Sequence, residues 1–263
     1  MAEFTLKIVD AQGQVKACDT AEDLALLVYN KAYEPGDAIC VETSEKNIHV
    51  WLQLDDALGK VFVYLTGNTR YEIPFEAQRY NLAPKAFSGE KHLLSVRLAL
   101  PEEAAQYRNL ALNVYDRHNT DNLYPHATAN VETRGESVFF ASNAIDGVVE
   151  SRSHGLWPYA SWGINRRDDA EWTLDFGREI ETDRIIIFTR SDFPHDNWWV
   201  QATITFSDGT EMVCPLEKTR FAQEVRFSAK RTTSVKLSNL IKADDPSPFP
   251  ALTQVEVYGK DVK

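Results

Sequence analysis

Apolar residues recur at every second position along much of the chain, the period of a strand with one buried face. In NIHVWLQLD, Ile48, Val50, Leu52 and Leu54 fall on one side, with His49, Trp51, Gln53 and Asp55 on the other. KHLLSVRLAL repeats the pattern, setting Leu94, Val96, Leu98 and Leu100 opposite Ser95 and Arg97. KVFVYLTGN is apolar on both sides and ends in the turn-like pair Gly67-Asn68. The second half adds EWTLDFG, DRIIIFTR, WVQATITFSDG, EVRFSA, SVKLSN and LTQVEVYG, with Asp208-Gly209 as a hairpin signal. Many short strands separated by turns, with little helix, predict an all-β chain built as two β-sandwiches.

Two stretches break the rule and predict helices. TAEDLALLVYN offers Thr20 as a cap, with Glu22 and Asp23 in the first turn. PEEAAQYRNL opens on Pro101 followed by two acids, which suits a helix N-terminus. Between them and the later strands lies NVYDRHNTDNLYP, polar and aperiodic, which reads as a linker. The expected division is an N-terminal sandwich over 1–112 with its role open, a linker over 113–124, and a second sandwich over 125–263.

Composition alters this picture little. With 263 residues, 43% of them hydrophobic, two cores can form without a disulfide or metal scaffold. Cys18, Cys40 and Cys214 are far apart and show no C-x-x-C or zinc spacing, so reduced thiols are expected. The net charge of −11 argues against a general nucleic-acid binder and against docking on anionic membrane. No apolar run approaches the roughly 20 residues needed to span a bilayer. The N-terminal MAEFTLKIVDAQG lacks the apolar core of a signal peptide. A cytoplasmic chain is expected, or a secreted one if a signal has been trimmed away.

Six motifs in order carry a resemblance. SNAIDG (142–147) is followed by an aromatic loop with Trp157 and Trp162, then by EWTLDFG, DRIIIFTR ending at Arg190, TFSDGT and QVEVYGK. Together they resemble the discoidin-like, coagulation-factor C-type domains, which include the family 32 carbohydrate-binding modules. The resemblance covers about residues 124–260. It implies a galactose-binding-like jelly roll that is lectin-like in function, with ligand loops at one end. In the carbohydrate-binding branch it also implies a structural Ca²⁺ below the loop after the A-I-D-G motif. By position, Asp146 would supply a carboxylate and Asn143 a carbonyl, with Ser151, Thr253 and Gln254 completing the set. Val148 and Gln254 stand where the family commonly has polar and acidic residues. Ca²⁺ takes six to eight oxygens, so a plain turn at Asp146-Gly147 is the competing reading.

Sugar sites need a flat aromatic face and a few fixed polar groups. Trp157 and Tyr159 flank Pro158 where no core register explains them. Counting back from Phe206 puts Ile204, Ala202, Val200 and Trp198 on the buried parity and Trp199 on the polar one. Trp172 alternates with Leu174 and Phe176 and reads as core. His154, Arg190, Asp192, His195 and Asp196 join Trp157, Tyr159 and Trp199 as the expected ligand-binding residues, with Asn197 beside them. Arg152, Arg166 and Arg167 make this rim locally basic, which permits an acidic sugar. Trp51, on a polar parity, reads either as a second platform or as covered by the other sandwich.

Three readings stay open. One is a non-catalytic carbohydrate-binding protein. A second is a sugar- or glycoside-acting enzyme using His195, Asp196 and His154 as acid–base groups, although neighbours in a loop seldom face each other. The third is a module for protein interaction or self-assembly, the oligomeric state being open.

Overall fold

The computed structural model describes every residue except Arg152, Ser191 and Lys263. The first half runs β1 (Glu3–Val9), β2 (Val15–Glu22), β3 (Leu24–Tyr29), β4 (Ala38–Thr43), β5 (Ile48–Gln53), β6 (Val61–Leu65), β7 (Thr69–Glu72) and β8 (His92–Leu98). A single helical turn, α1 (Pro101–Ala104), precedes β9 (Arg108–Asn109) and β10 (Leu123–Tyr124). Two sheets, ordered β2-β1-β4-β7 and β10-β6-β5-β8-β3, face each other. Between them lie Phe4, Leu6, Ile8, Val50, Leu52, Leu54, Val61 and Val63, of which Val50, Leu52 and Leu54 are the ones that the alternation assigns to the buried side.

The second half runs β11 (His126–Ala129), β12 (Trp162–Gly163), β13 (Trp172–Thr189), β14 (Trp199–Phe206), β15 (Glu211–Pro215), β16 (Gln223–Lys242) and β17 (Ala251–Asp261). One hydrogen-bonded network, β12-β17-β13-β16-β14-β15, carries them, with β11 added to β13 and β9 to β17. β13 bends midway: its pairing with β16 jumps from Asp175 to Ile180 around Gly177, which has φ 67°. A Cβ there would sit 2.4 Å from the Tyr124 ring, so only glycine fits. Trp172, Leu174 and Phe176 before the bend, and Ile180, Ile185 and Ile187 after it, all reach the same core. The bend lets one long strand serve both walls of the sandwich. The all-β expectation holds, with 47% strand and 7% helix.

Both helix expectations fail in large part. Residues 20–30 form the end of β2 and all of β3, with Asp23 at φ 58° turning the chain between them. The stretch LALLVY alternates exposed and buried residues, and the pairing of Leu27 with Leu94 outweighs a capping signal. PEEAAQYRNL keeps only α1, because Arg108 and Asn109 are drawn into pairing with β17.

Segment 113–124 is packed rather than loosely tethered. Leu110 and Ala111 enter the second core, whereas Tyr115 and Leu123 enter the first, so the crossing segment is shared by both. The Tyr115 hydroxyl donates to the Gly59 carbonyl at 2.5 Å, and β10 pairs with β6. A polar composition hid these two anchors. The sandwiches are further joined at Asp261, whose carboxylate meets Arg178, Arg108 at 2.6 Å and His49 at 3.2 Å. Burial alone would raise the Asp261 pKa, but these cations overcome it and hold the carboxyl well below its usual range. Trp51 is covered by the first sandwich itself: its Nε1 donates to Glu103 at 3.0 Å and its ring meets Phe62 edge-on. The three cysteines are free. Among the described residues, no helix is long and apolar enough to cross a membrane.

Candidate functional site

The stretch RSDFPHDNWW joins β13 to β14, and its geometry begins with Arg190. This arginine is 3% exposed, and its amide donates to the Ala251 carbonyl at 2.9 Å, tying it to β17. Its Nε and Nη2 donate to the two oxygens of Asp196 at 3.0 and 2.7 Å. Asp196 is itself buried and also accepts from the Asp192 amide at 2.6 Å. Burial acts to raise the Asp196 pKa, but the Arg190 guanidinium prevails and holds it below the usual carboxylate range. Asn197, also buried, donates to the carbonyls of Ala243 and Ser247 and pins the loop to the chain before β17.

Two histidines complete the floor. His195 Nδ1 lies 2.9 Å from Asp196 Oδ1, so the adjacent residues do face each other, contrary to expectation. The same Nδ1 also lies 3.4 Å from Arg190 Nη2, so His195 touches both members of the ion pair. His154 stacks on His195 with ring centroids 4.4 Å apart, and its Nδ1 accepts from Arg190 Nη2 at 3.3 Å. Desolvation first, and then the Arg190 charge, hold the His154 imidazole below its ordinary pKa. With Arg190 Nη2 donating to Nδ1, the proton of the neutral His154 ring falls on Nε2. Asp192 positions it, accepting from the His154 amide at 2.7 Å.

Above this floor opens a cavity of about 350 Å³ bounded by His154, Arg190, His195, Asn165, Arg166 and Phe249, with Thr133, Arg134 and Phe139 on one side. Phe249 lies parallel to His195, 10° between planes and 5.4 Å between centroids, and is 38% exposed. Arg166 covers the Phe249 ring at 4.8 Å. It is carried there by a tight turn in which Asn165 and Arg166 both have positive φ, 48° and 62°, and the Arg167 amide donates to the Ile164 carbonyl at 3.0 Å. That is the backbone of a type I′ turn. Among the described residues, no carboxylate lines the cavity. The buried Nη1 atom of Arg190 has no hydrogen-bond partner among the described residues.

The sequence-derived set is thus partly brought together. His154, Arg190 and His195 line the cavity, and Asp192 and Asp196 stand behind them as supports. Tyr159 meets His154 edge-on at 6.2 Å, whereas Trp157, 44% exposed, does not line the cavity. Trp199 requires correction: it is 1% exposed, tilted against Trp162 in the core, while Trp198 lies half-exposed beneath Lys218. The cause is a pair of bulges. Trp199 sits opposite Lys242, Gln201 opposite Ile241 and Thr203 opposite Ser238, so the inside and outside of β14 exchange before its midpoint. Trp162 is fully buried, its Nε1 donating to Val131 at 2.8 Å, and Trp172 is fully buried as expected. Phe249 was missed because it sits in an irregular proline-flanked stretch, SPFP, where no period exists to assign it a face. Arg152 lies outside the described residues.

The expected cation ligands are placed as follows. Asn143 spends its side chain on Asn81, Ser137 and Ser161, leaving only its backbone carbonyl for such a role. Gln254 is buried, its Oε1 accepting from the Gly147 amide at 3.2 Å. Among the described residues, Ser151 Oγ and Thr253 Oγ1 are buried without a hydrogen-bond partner. Asp146 bonds the Val148 amide at 2.8 Å, and desolvation pushes its carboxyl up to about 8.

Among curated proteins, none matches the sequence. The chain is similar in structure to chitosan-binding module 1 of the chitosanase/glucanase from Paenibacillus sp. IK-5, at 20% identity and a TM-score of 0.38, covering 57% of this chain and 98% of that one. It is similar to the family 32 carbohydrate-binding module of C. perfringens NanJ, solved with galactose, at 20% identity and a TM-score of 0.39, covering 50% and 91%. It is similar to the Streptococcus pneumoniae fucose-binding module SpX-3 at 18% identity and a TM-score of 0.41, covering 58% and 98%. One family model, described as a domain of unknown function, DUF7402, matches residues 111–243. That span holds His154, Arg166, Arg190 and His195, and stops short of Phe249. The chain belongs to the DUF7402 family.

Proposed function

We propose that the second sandwich binds a carbohydrate, without turning it over, in the cavity between the β13–β14 loop and the Phe249 stretch. The observation that carries this is the free Nη1 of Arg190. A buried guanidinium nitrogen left without an acceptor costs stability unless a ligand supplies one. Around it stand groups that suit a sugar: the imidazoles of His154 and His195 and the apolar ring of Phe249. A cavity of about 350 Å³ accommodates one or two sugar rings. The resemblance of residues 124–260 to the discoidin-like modules points the same way.

The His195–Asp196 pair at 2.9 Å supports acid–base chemistry as a second reading. Yet a glycosidase needs two carboxylates facing its substrate, and Asp196 is spent on Arg190. Binding is the better account. A glycan array followed by calorimetry of the hits tests it. Phe249→Ala should weaken binding roughly tenfold, about 1.4 kcal/mol, with an unchanged melting temperature. Silence across the array would overturn the reading, and turnover of a bound glycoside lost in His195→Ala would replace it with the enzymatic one.

We further propose a structural Ca²⁺ ion below the A-I-D-G motif. Two orphaned hydroxyls, Ser151 Oγ and Thr253 Oγ1, and one carboxyl kept protonated by burial are the features a hard cation would resolve. Asp146, Ser151, Thr253 and Gln254 would hold it, with the Asn143 carbonyl. Its contribution would be structural, fixing the loop that carries His154.

A further inference from the structure

Resting on the carbohydrate reading, we propose that the bound sugar is an acidic one, whose carboxylate is received by Arg166 beside Arg190. Arg166 makes no ion pair or hydrogen bond through its guanidinium among the described residues. Its neighbours differ. Arg134 is spent on Glu136 at 2.6 and 2.7 Å, and Arg167 on Asp169 at 2.7 and 2.5 Å. The unpaired cation is therefore the one that the Asn165–Arg166 turn directs into the cavity. Two successive non-glycine residues in the left-handed region are strained, and strain of this kind concentrates where a side chain must be aimed.

The second observation is independent of the first. Arg190, directly after β13, lines the same cavity, and among the described residues its buried Nη1 has no hydrogen-bond partner. No carboxylate among the described residues lines the space between, although the chain carries a net charge of −11. An acidic protein that clears one cavity of acids and leaves one arginine unpaired there has a site biased toward anions. Distant surface carboxylates count for little, since a Debye length of about 8–10 Å screens them at physiological salt. A carboxylate accepts from a guanidinium with charge assistance, which a neutral hydroxyl does not match. The Phe249–His195 stack leaves an apolar wall for the ring that carries the acid.

Calorimetry with two matched pairs, galacturonate against galactose and glucuronate against glucose, tests this. At least one acid should bind about tenfold tighter than its neutral partner, and raising the salt from about 0.02 to 0.2 M should shrink that advantage several-fold. Arg166→Gln should erase the preference, and the adjacent Arg167→Gln should retain it. Equal or tighter binding of the neutral sugars would overturn the acid selectivity and leave the carbohydrate reading standing. Binding of neither, with the glycan array also silent, would overturn both. A preference that survives Arg166→Gln would overturn the assignment to that residue.

Discussion

Arg190 and Asp196 form a two-point ion pair inside the second sandwich, 3% and 1% exposed, at the base of the cavity. The pair does more than balance charge. It engages Nε and Nη2 of the guanidinium, and so sets which nitrogen, Nη1, is left without a partner among the described residues. Removing one member of a buried pair strands the other, at about 3–5 kcal/mol. Asp196→Asn should lower stability by about 3 kcal/mol in urea unfolding. The Arg190→Met, Asp196→Leu double variant should recover much of that loss while losing sugar binding. A double variant as unstable as the single one would show that the pair's worth is not its charge.

The two adjacent tryptophans of DNWW should separate cleanly in stability. Trp199 is a core side chain, and truncating a buried large aromatic costs about 3–5 kcal/mol. Trp199→Ala should therefore unfold at markedly lower denaturant, whereas Trp198→Ala, half-exposed under Lys218, should cost under about 1.5 kcal/mol. Equal losses would contradict the bulged register of β14.

The cation proposal has a pH signature. Burial raises the Asp146 carboxyl to about 8, so without a cation the folded state favours the protonated form. Its contribution to stability is then complete below about 4 and is lost as pH rises through about 8. Ca²⁺ needs the carboxylate and must displace that proton. The rise in melting temperature on adding Ca²⁺ should accordingly grow from pH 6 to pH 8.5 and be cancelled by chelator. Asp146→Asn should abolish the response. A shift independent of pH, or none, would contradict the assignment.

Much of this architecture can be read from alternation alone, because strands with one wet face write their burial into every second residue. EWTLDFG sits as its pattern predicts, and so do Val50, Leu52, Leu54, Leu94 and Val96, whereas Leu100 is exposed beyond the end of its strand and Gln53, Asp55 and Ser95 are buried on the side expected to be wet. The failures have specific causes. At Trp199 a bulge shifted the period, and a bulge needs only one extra residue with no compositional mark. At Leu24–Tyr29 a capping signal competed with a pairing partner some 70 residues away in sequence, and the partner prevailed. In the site, His154, Arg190 and His195 were legible because the motif order places them on end loops. Phe249 and the aim of Arg166 were not. One depends on a loop without period, the other on two backbone angles that asparagine and arginine rarely adopt together.

The most direct test is to titrate an array-identified sugar into the ¹⁵N-labelled protein and map the amide shifts. The account expects the largest shifts at His154, Asn165, Arg166, His195 and Phe249, with the first sandwich silent and about tenfold more sugar needed for the same shifts in Phe249→Ala. Shifts centred on Trp157 or on the first sandwich, with this cluster unmoved, would contradict it.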